Sequence, residues 1–158
     1  NKKDAYGLVR AEKAGIKTEF IDHKQFSSRN EFDKKIDEIL ENNNIKIVCL
    51  AGFMRLLTGD FTSKWSGRMI NIHPSLLPSF KGAKGIEDAL EYGVKVTGCT
   101  VHYVSEEMDS GEIIEQEAVK IEDEDNFESV KEKIHKAEHK IYPLALKKAC
   151  NRLLQTFQ

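Results

Sequence analysis

The fold of this chain is decided by two short apolar runs, IKIVCLAG at positions 45–52 and RMINIHP at positions 68–74. Each run is rich in aliphatic residues and is bounded by turn-forming residues, which is typical of strands buried on both faces. Such strands belong to parallel sheets. We therefore expect an open, mostly parallel, twisted α/β sheet with helices on both faces. Ligands of such sheets bind outside the carboxyl ends of the strands, where Gly52, Asn71 and His73 fall.

Helices are expected to alternate with these strands. Ser28 and Glu31 have the spacing of a capping box, and apolar residues follow at helical spacing, so an amphipathic helix should extend to about Asn43. A short helix over residues 58–65 and another over residues 83–92 are each followed by a glycine, which favours the end of a helix.

The last third of the chain should contain an antiparallel pair of strands and a long helix. Residues 97–104 and 112–121 show strand periodicity and are joined by a short acidic loop. The helix should begin near Phe127. It should be kinked or broken at Pro143, before helical spacing resumes over residues 144–157.

Length and composition narrow the class of protein. The 158 residues fit a single domain over residues 1–158, and a net charge of −2 offers no basic surface for nucleic acid. Neither a membrane span nor a secretion signal is recognisable in the sequence. Cys49, Cys99 and Cys150 are odd in number and widely spaced, which we interpret as buried thiols in a reducing compartment. We expect a cytoplasmic monomer or homodimer that acts on small molecules.

Three polar residues form a candidate catalytic set. Asn71 and His73 are two apart in an extended segment, so their side chains point to one side, and Pro74 stiffens the exit from the strand. An amide and a protonated imidazole are donors suited to an oxyanion that develops when an amine adds to a carbonyl. Asp109 would favour the protonated imidazole and relay a proton from the amine, without a metal. From these residues alone, a purely structural role stays open: Asn71 and His73 would satisfy backbone groups, and Asp109 would form a turn.

Longer motifs carry more information than single residues. They are NIHPSLLPSFKG at 71–82, TGCTVHYV at 97–104 and MDSG at 108–111. These motifs resemble the phosphoribosylglycinamide formyltransferases of purine synthesis. The resemblance continues through NKKDAYG at 1–7, AGFMR at 51–55 and AEHKIYP at 137–143. It implies the Rossmann-like formyltransferase fold and transfer of the formyl group of 10-formyltetrahydrofolate, a co-substrate, to the amine of glycinamide ribonucleotide.

The resemblance also implies a role for individual residues. The catalytic Asn, His and Asp of the family match Asn71, His73 and Asp109. The folate should lie against Met54, Arg55, Leu56, Leu57, Ser105, Glu106, Glu107, Met108 and Asp109, with Arg29 near its tail. The ribonucleotide should contact Gly52, Pro74, Glu138 and His135, the last at a position where family members vary.

The chain departs from the family pattern at its start. The resemblance implies that an opening strand, a glycine-rich phosphate loop and a first helix, roughly one strand-helix-strand unit of about 30 residues, should precede Asn1. Because such a loop holds a phosphate at a helix N-terminus, we expect this chain alone to bind the ribonucleotide poorly while it keeps the formyl-transfer residues. A smaller departure is AKG at 83–85, where some family members have histidines.

Other functions remain as alternatives. A formyltetrahydrofolate hydrolase would use the same catalytic residues and pass the formyl group to water, although the segment 137–143 resembles the ribonucleotide enzyme. A non-catalytic folate-binding fragment is a second alternative, because the phosphate loop is missing. A methionyl-tRNA formyltransferase is disfavoured, because it would need a basic surface for tRNA and the net charge of −2 offers none. The segment 135–139, HKAEH, fits a zinc-binding H-x-x-E-H pattern, but the sequence indicates no third ligand, and we expect no metal.

Overall fold

The computed structural model describes residues 1–156 and divides into two compact units, the second of which begins at Lys46. The first unit contains α1 (Tyr6–Lys13), a 3₁₀ turn (His23–Gln25) and α2 (Arg29–Asn42). The expectation of a single domain over residues 1–158 remains a prediction.

Helix α2 begins where its capping residue predicts. Ser28 Oγ accepts a hydrogen bond from the backbone N–H of Glu31 at 3.2 Å. In place of the reciprocal bond of a capping box, the Glu31 carboxylate accepts hydrogen bonds from the backbone N–H and the hydroxyl of Ser27, at 3.0 and 2.8 Å. Ser28 and Glu31 therefore both accept hydrogen bonds at the start of the helix. Glu31 bonds to Ser27 rather than to Ser28, because Ser27 offers both an N–H and a hydroxyl donor.

The second unit is built on one open sheet. Its four strands lie in the order β1 (Val48–Leu50), β2 (Met69–His73), β3 (Val96–Tyr103) and β4 (Ile113–Lys120). β1 and β2 are parallel, whereas β2 with β3 and β3 with β4 are antiparallel pairs. The predicted open α/β sheet and the antiparallel β3–β4 pair are confirmed.

The expectation of a mostly parallel sheet was wrong, because the sheet is mixed. An apolar run such as residues 68–74 indicates that a strand is buried, but it does not specify whether the neighbouring strand is parallel or antiparallel. Direction depends on the end of the sheet at which the connecting segment returns. The segment between β2 and β3 returns at the end where β2 stops, so the two strands run in opposite directions.

The prediction that the first strand is buried on both faces was also wrong. Val48 and Leu50 are half-buried, and Cys49 is exposed rather than a buried thiol. Within the described residues β1 is an edge strand that pairs only with β2, so its faces are covered less than those of a strand with two neighbours. Of the other thiols, Cys99 is buried and Cys150 is half-buried.

Two short helices lie on the connections between strands. α3 (Gly59–Lys64) separates β1 from β2, and α4 (Gly85–Tyr92) separates β2 from β3. Both lie inside their predicted ranges. α4 ends at Gly93, whose left-handed φ of 81° suits a residue without a Cβ atom.

The long helix α5 (Phe127–Gln155) covers one face of the sheet. Its buried residues recur every three or four positions: Val130, Ile134, Ala137, Ile141, Ala145 and Ala149. They pack against Ile70 of β2 and against Cys99, Val101 and Tyr103 of β3. This spacing keeps one stripe of α5 on the sheet along most of its length.

Pro143 was predicted to kink or break the helix, and the structure contradicts the break, since α5 continues through this residue. A proline inside a helix removes one backbone hydrogen bond and crowds the preceding turn. Here Ile141 and Ala145, on either side of Pro143, are buried in the same core, and that packing holds both halves of the helix in place. Phe157, where the predicted resumption ends, lies outside the described residues. None of the helices within residues 1–156 combines the length and the apolar character needed to cross a membrane.

Candidate active site

Strand β2 separates the core of the second unit from a polar face. Ile70 and Ile72 pack into the core beneath α5. Because successive side chains of a strand point to opposite faces, Asn71 and His73 point to the other side. His73 is the last residue of the strand and is only 4% exposed. The sequence alternation thus correctly placed both side chains on one side of the sheet.

Both ring nitrogens of His73 have a partner. Nε2 donates to the carbonyl oxygen of Phe80 at 2.9 Å, which fixes the plane of the imidazole. Nδ1 lies 3.5 Å from Oδ2 of Asp109. A Cβ atom at Gly85 would come within 3.4 Å of His73 Nε2 and 3.2 Å of the Phe80 oxygen, so the glycine leaves room for this contact. The structure therefore brings His73 and Asp109 together.

Asp109 is held by more than the imidazole. Its Oδ2 accepts a hydrogen bond from the backbone N–H of Gly82 at 2.8 Å, and its Oδ1 lies 3.8 Å from Nε2 of His102. The side chain is 11% exposed, and the backbone has a left-handed φ of 51°. Such a conformation is uncommon for a residue other than glycine and persists where the surroundings hold it.

His102 is a member of this cluster that the sequence reasoning left without a role. It lies directly opposite Asn71 in the β2–β3 pairing and is 2% exposed. Its Nδ1 donates to the carbonyl oxygen of Tyr103 at 2.9 Å, so its Nε2 can accept from Asn71 Nδ2, 3.3 Å away. Burial lowers the pKa of His102, which favours this neutral form. The alternation of His102 with Val101 and Tyr103 was a usable signal, but the strand register was needed to interpret it.

A buried polar network holds the turn that follows β2. The hydroxyl of Thr100 donates to the Ser75 carbonyl at 2.7 Å and accepts from the Leu77 N–H at 3.1 Å. Gln116 Nε2 on β4 lies 3.0 Å from both the Leu77 carbonyl and the Thr100 hydroxyl. Within the turn, the Ser75 hydroxyl donates to the Ser79 carbonyl at 2.6 Å. These bonds tie the turn to β3 and β4, and the same turn continues to the Phe80 carbonyl that His73 contacts.

The two segments predicted to bind folate both lie in the second unit, and the residues just after the first approach the second. Residues 54–57 follow β1, and within them Met54 and Leu56 are exposed whereas Arg55 and Leu57 are half-buried. The second segment, 105–109, forms the turn between β3 and β4. A Cβ atom at Gly59, two residues after the first segment, would lie 3.1 Å from the Glu106 carboxylate of the second. In the second segment, Ser105 and Asp109 are half-buried, whereas Glu106, Glu107 and Met108 are exposed.

Residues predicted to contact the acceptor lie just after β1, just after β2 and on α5. Gly52 has a left-handed φ of 67°, and Pro74 directly follows His73. The Tyr142 hydroxyl on α5 donates to the Leu50 carbonyl at 2.6 Å, which places this part of the helix at the carboxyl end of β1. Glu138, one turn earlier on α5, is half-buried, and burial raises the pKa of its carboxyl group.

Two further residues were predicted to bind the substrates. Arg29 is the first residue of α2 in the first unit and is exposed. His135 is exposed on α5 and lines an open depression with Asn126, Ser129 and Glu132 near the start of that helix. The assignments of Arg29 and His135 remain predictions.

The zinc pattern at residues 135–139 does not form a ligand set. His135 and His139 are exposed, while Glu138 is half-buried. Among residues 1–156, no group of three or more histidine, cysteine or acidic side chains is arranged to hold a metal ion.

The polar face suits addition of a nucleophile to a carbonyl group. The Asn71 amide and the His73 imidazole supply N–H donors on one side of the sheet, where a developing oxyanion could be stabilised. The Asp109 carboxylate, 3.5 Å from His73, is a proton acceptor beside them. This separation exceeds that of a tight charge-assisted bond, and such contacts often shorten only when substrate binds.

A comparison with models of protein families shows which family this chain belongs to. The model described as "Formyl transferase" matches residues 1–146. The chain belongs to the formyl transferase family.

Similar proteins of this family come from bacteria and vertebrates. The phosphoribosylglycinamide formyltransferase of Haemophilus influenzae is 43% identical over 147 residues, which cover 93% of this chain and 69% of that protein. The human trifunctional purine biosynthetic protein adenosine-3 is 54% identical over 98% of this chain, and the chicken protein of the same name is 52% identical. This chain spans only 15% and 16% of those two proteins. The crystal structure of glycinamide ribonucleotide transformylase 1 from Symbiobacterium toebii has a TM-score of 0.92 at 44% identity, covering 96% of this chain and 72% of that one.

In this formyl transferase, the three motifs that carry the family resemblance meet at one place. Residues 71–82 supply the end of β2 and the turn beyond it, residues 97–104 form most of β3, and residues 108–111 carry Asp109. The contacts of Asp109 with His73 and Gly82 join the first motif to the third, and its approach to His102 joins the second.

Proposed function

We propose that this formyl transferase moves the formyl group of 10-formyltetrahydrofolate to the amine of glycinamide ribonucleotide, as in de novo purine synthesis. The observation that carries the proposal is the Asp109 carboxylate facing His73 at 3.5 Å, on the side of the sheet that also bears Asn71. The names of the bacterial relatives, at 43% and 41% identity, support the same acceptor.

The proposed mechanism is direct attack of the amine on the formyl carbon. As the C–N bond forms, the carbonyl oxygen becomes anionic and accepts hydrogen bonds from the Asn71 amide and the His73 imidazole. Asn71 can use one N–H while its other N–H stays on His102. The formyl oxygen competes with the Phe80 carbonyl for the N–H at His73 Nε2.

The attacking amine must then lose a proton. Asp109 accepts it, directly or through a water molecule, and the folate nitrogen is protonated as the C–N bond to the carrier breaks. The carboxylate also stabilises a positively charged His73 during the reaction. Neither a metal nor a covalent enzyme intermediate enters this sequence of steps.

The folate carrier is proposed to lie against residues 54–57 and the turn 105–109. Met54, Leu56 and Met108 are exposed by 72%, 55% and 49%, and they supply apolar surface for a flat ring system. Arg29 is proposed to approach the carrier's acidic tail.

The ribonucleotide is proposed to contact Gly52, Pro74 and Glu138, with His135 as a further candidate. A carboxylate such as Glu138 can accept hydrogen bonds from ribose hydroxyls. We further propose that the protein acts in the cytoplasm as a monomer or homodimer.

The test is formyl transfer by the full-length polypeptide with Asn71→Ala or His73→Ala. Each substitution should lower kcat at least about 10²-fold, because each removes an oxyanion donor. Asn151→Ala and His139→Ala are matched controls, since both residues are exposed on α5. Turnover at the wild-type rate in both site variants would refute the mechanism. Formate release without an amine acceptor, at the same rate as with one, would instead identify a hydrolase.

A further inference from the structure

Lys81 connects the two segments that face each other across the proposed catalytic site. Its ammonium group donates to the Ser110 hydroxyl at 3.2 Å and lies 3.9 Å from the Glu107 carboxylate. Ser110 and Glu107 stand on either side of Asp109 in the turn between β3 and β4. The Ser110 hydroxyl in turn donates to the Met108 carbonyl at 3.0 Å, which closes the turn.

The neighbours of Lys81 contact the catalytic pair itself. The Phe80 carbonyl accepts from His73 Nε2 at 2.9 Å, and the Gly82 N–H donates to Asp109 Oδ2 at 2.8 Å. Residues 80, 81 and 82 therefore hold His73, the turn and the Asp109 carboxylate, respectively. Lys81 is the member of the three whose side chain, rather than backbone, makes the link.

We propose that Lys81 is a positioning residue that fixes the turn carrying Asp109. The proposal rests on the proposed function, in which Asp109 takes the proton of the amine. The left-handed φ of 51° at Asp109 gives the turn a conformation that it would leave without external contacts. Phe80, with a φ of 53°, is in the same conformation on the opposite segment. Lys81 spans the two, so its contacts oppose relaxation of both.

Loss of these contacts should loosen the carboxylate without removing any group that touches a substrate. Lys81→Met keeps most of the length of the side chain and removes its charge. It should lower kcat roughly 10-fold with little change in either KM, because a displacement well below 1 Å is enough for such a loss. Lys81→Arg keeps the charge and a donor, so it should restore most of the activity. Lys84→Met is the matched control, because the Lys84 side chain is exposed and lies three residues from Lys81 in the sequence.

A second measurement reports on the turn independently of turnover. The N–H of Gly82 is bonded to Asp109, so its hydrogen exchange should be about 10-fold faster in Lys81→Met than in the wild type. In Lys81→Arg and Lys84→Met it should be unchanged.

The outcomes separate this proposal from the proposed function. A wild-type kcat and wild-type Gly82 exchange in Lys81→Met would overturn the positioning role. So would a lower kcat with unchanged exchange, or a raised KM with unchanged kcat, since Lys81 would then act directly on a substrate. If the wild type transfers no formyl group, the proposed function fails, and Gly82 exchange still decides whether Lys81 fixes the turn.

Discussion

Replacement of Asp109 by asparagine would isolate the charge at the centre of the site. The amide has nearly the shape of the carboxylate, and its oxygen can still accept from the Gly82 N–H, which lies 2.8 Å from Oδ2. The change therefore keeps the contact that holds the turn. It removes the negative charge that lies 3.5 Å from His73 and 3.8 Å from His102.

The expected loss follows from the His73–Asp109 distance. Two unit charges 3.5 Å apart attract each other by about 5 kcal/mol at an effective dielectric constant of about 20. The asparagine dipole recovers part of this energy, so we expect about 3–4 kcal/mol less stabilisation of a protonated His73 during the reaction. Each 1.4 kcal/mol corresponds to about one factor of ten, and kcat should fall by about 10² to 10³.

The assay is steady-state formyl transfer by the full-length polypeptide, with thermal unfolding measured in parallel. Asp123→Asn is the matched control, because the Asp123 side chain is 92% exposed and pairs with Lys95 at the surface. Its kcat should equal that of the wild type. If Asp109→Asn kept kcat within about 3-fold of the wild type while remaining folded, the charge at this position would have no part in the reaction, and the reasoning would be refuted.

Two further predictions concern the supporting structure. Because burial lowers the pKa of His102 from its ordinary 6.5, the unfolded chain takes up a proton that the folded chain does not, and stability should fall as the pH drops below about 6.5. His102→Gln should lose less stability than the wild type between about pH 7.5 and 5.5 in urea unfolding, and equal losses would contradict this origin. A Cβ atom at Gly98 would lie 2.1 Å from the Glu117 carbonyl and 2.8 Å from Leu76, so Gly98→Ala should lower the free energy of unfolding by about 3 kcal/mol. Gly7→Ala on α1, where a Cβ atom meets nothing within 4 Å, is its control, and equal midpoints for the two variants would be inconsistent with the clash.

Features with local causes could be predicted from the sequence. Helix α2 begins at Ser28 because a hydroxyl reaches a backbone N–H three residues later, and α4 ends at Gly93 because glycine accepts a left-handed φ. The common orientation of Asn71 and His73 follows from the alternation of side chains along a strand. In each case the partners are within a few residues, so the residue types contain the information.

Features that depend on distant contacts could not be predicted in this way. The direction of β3 relative to β2 and the exposure of Cys49 depend on which segments pack beside each strand. Pro143 remains inside α5 because buried residues on both sides outweigh one lost hydrogen bond.

The candidate site shows the same division. By itself, the sequence determined the motifs that resemble formyltransferases, and with them Asn71, His73 and Asp109 as candidates. Only the tertiary structure placed His102 opposite Asn71 and the Gly82 N–H on the Asp109 carboxylate, 27 positions away along the chain. Such pairs form because strand register and turn packing bring them together, and neither is encoded in the residues next to them.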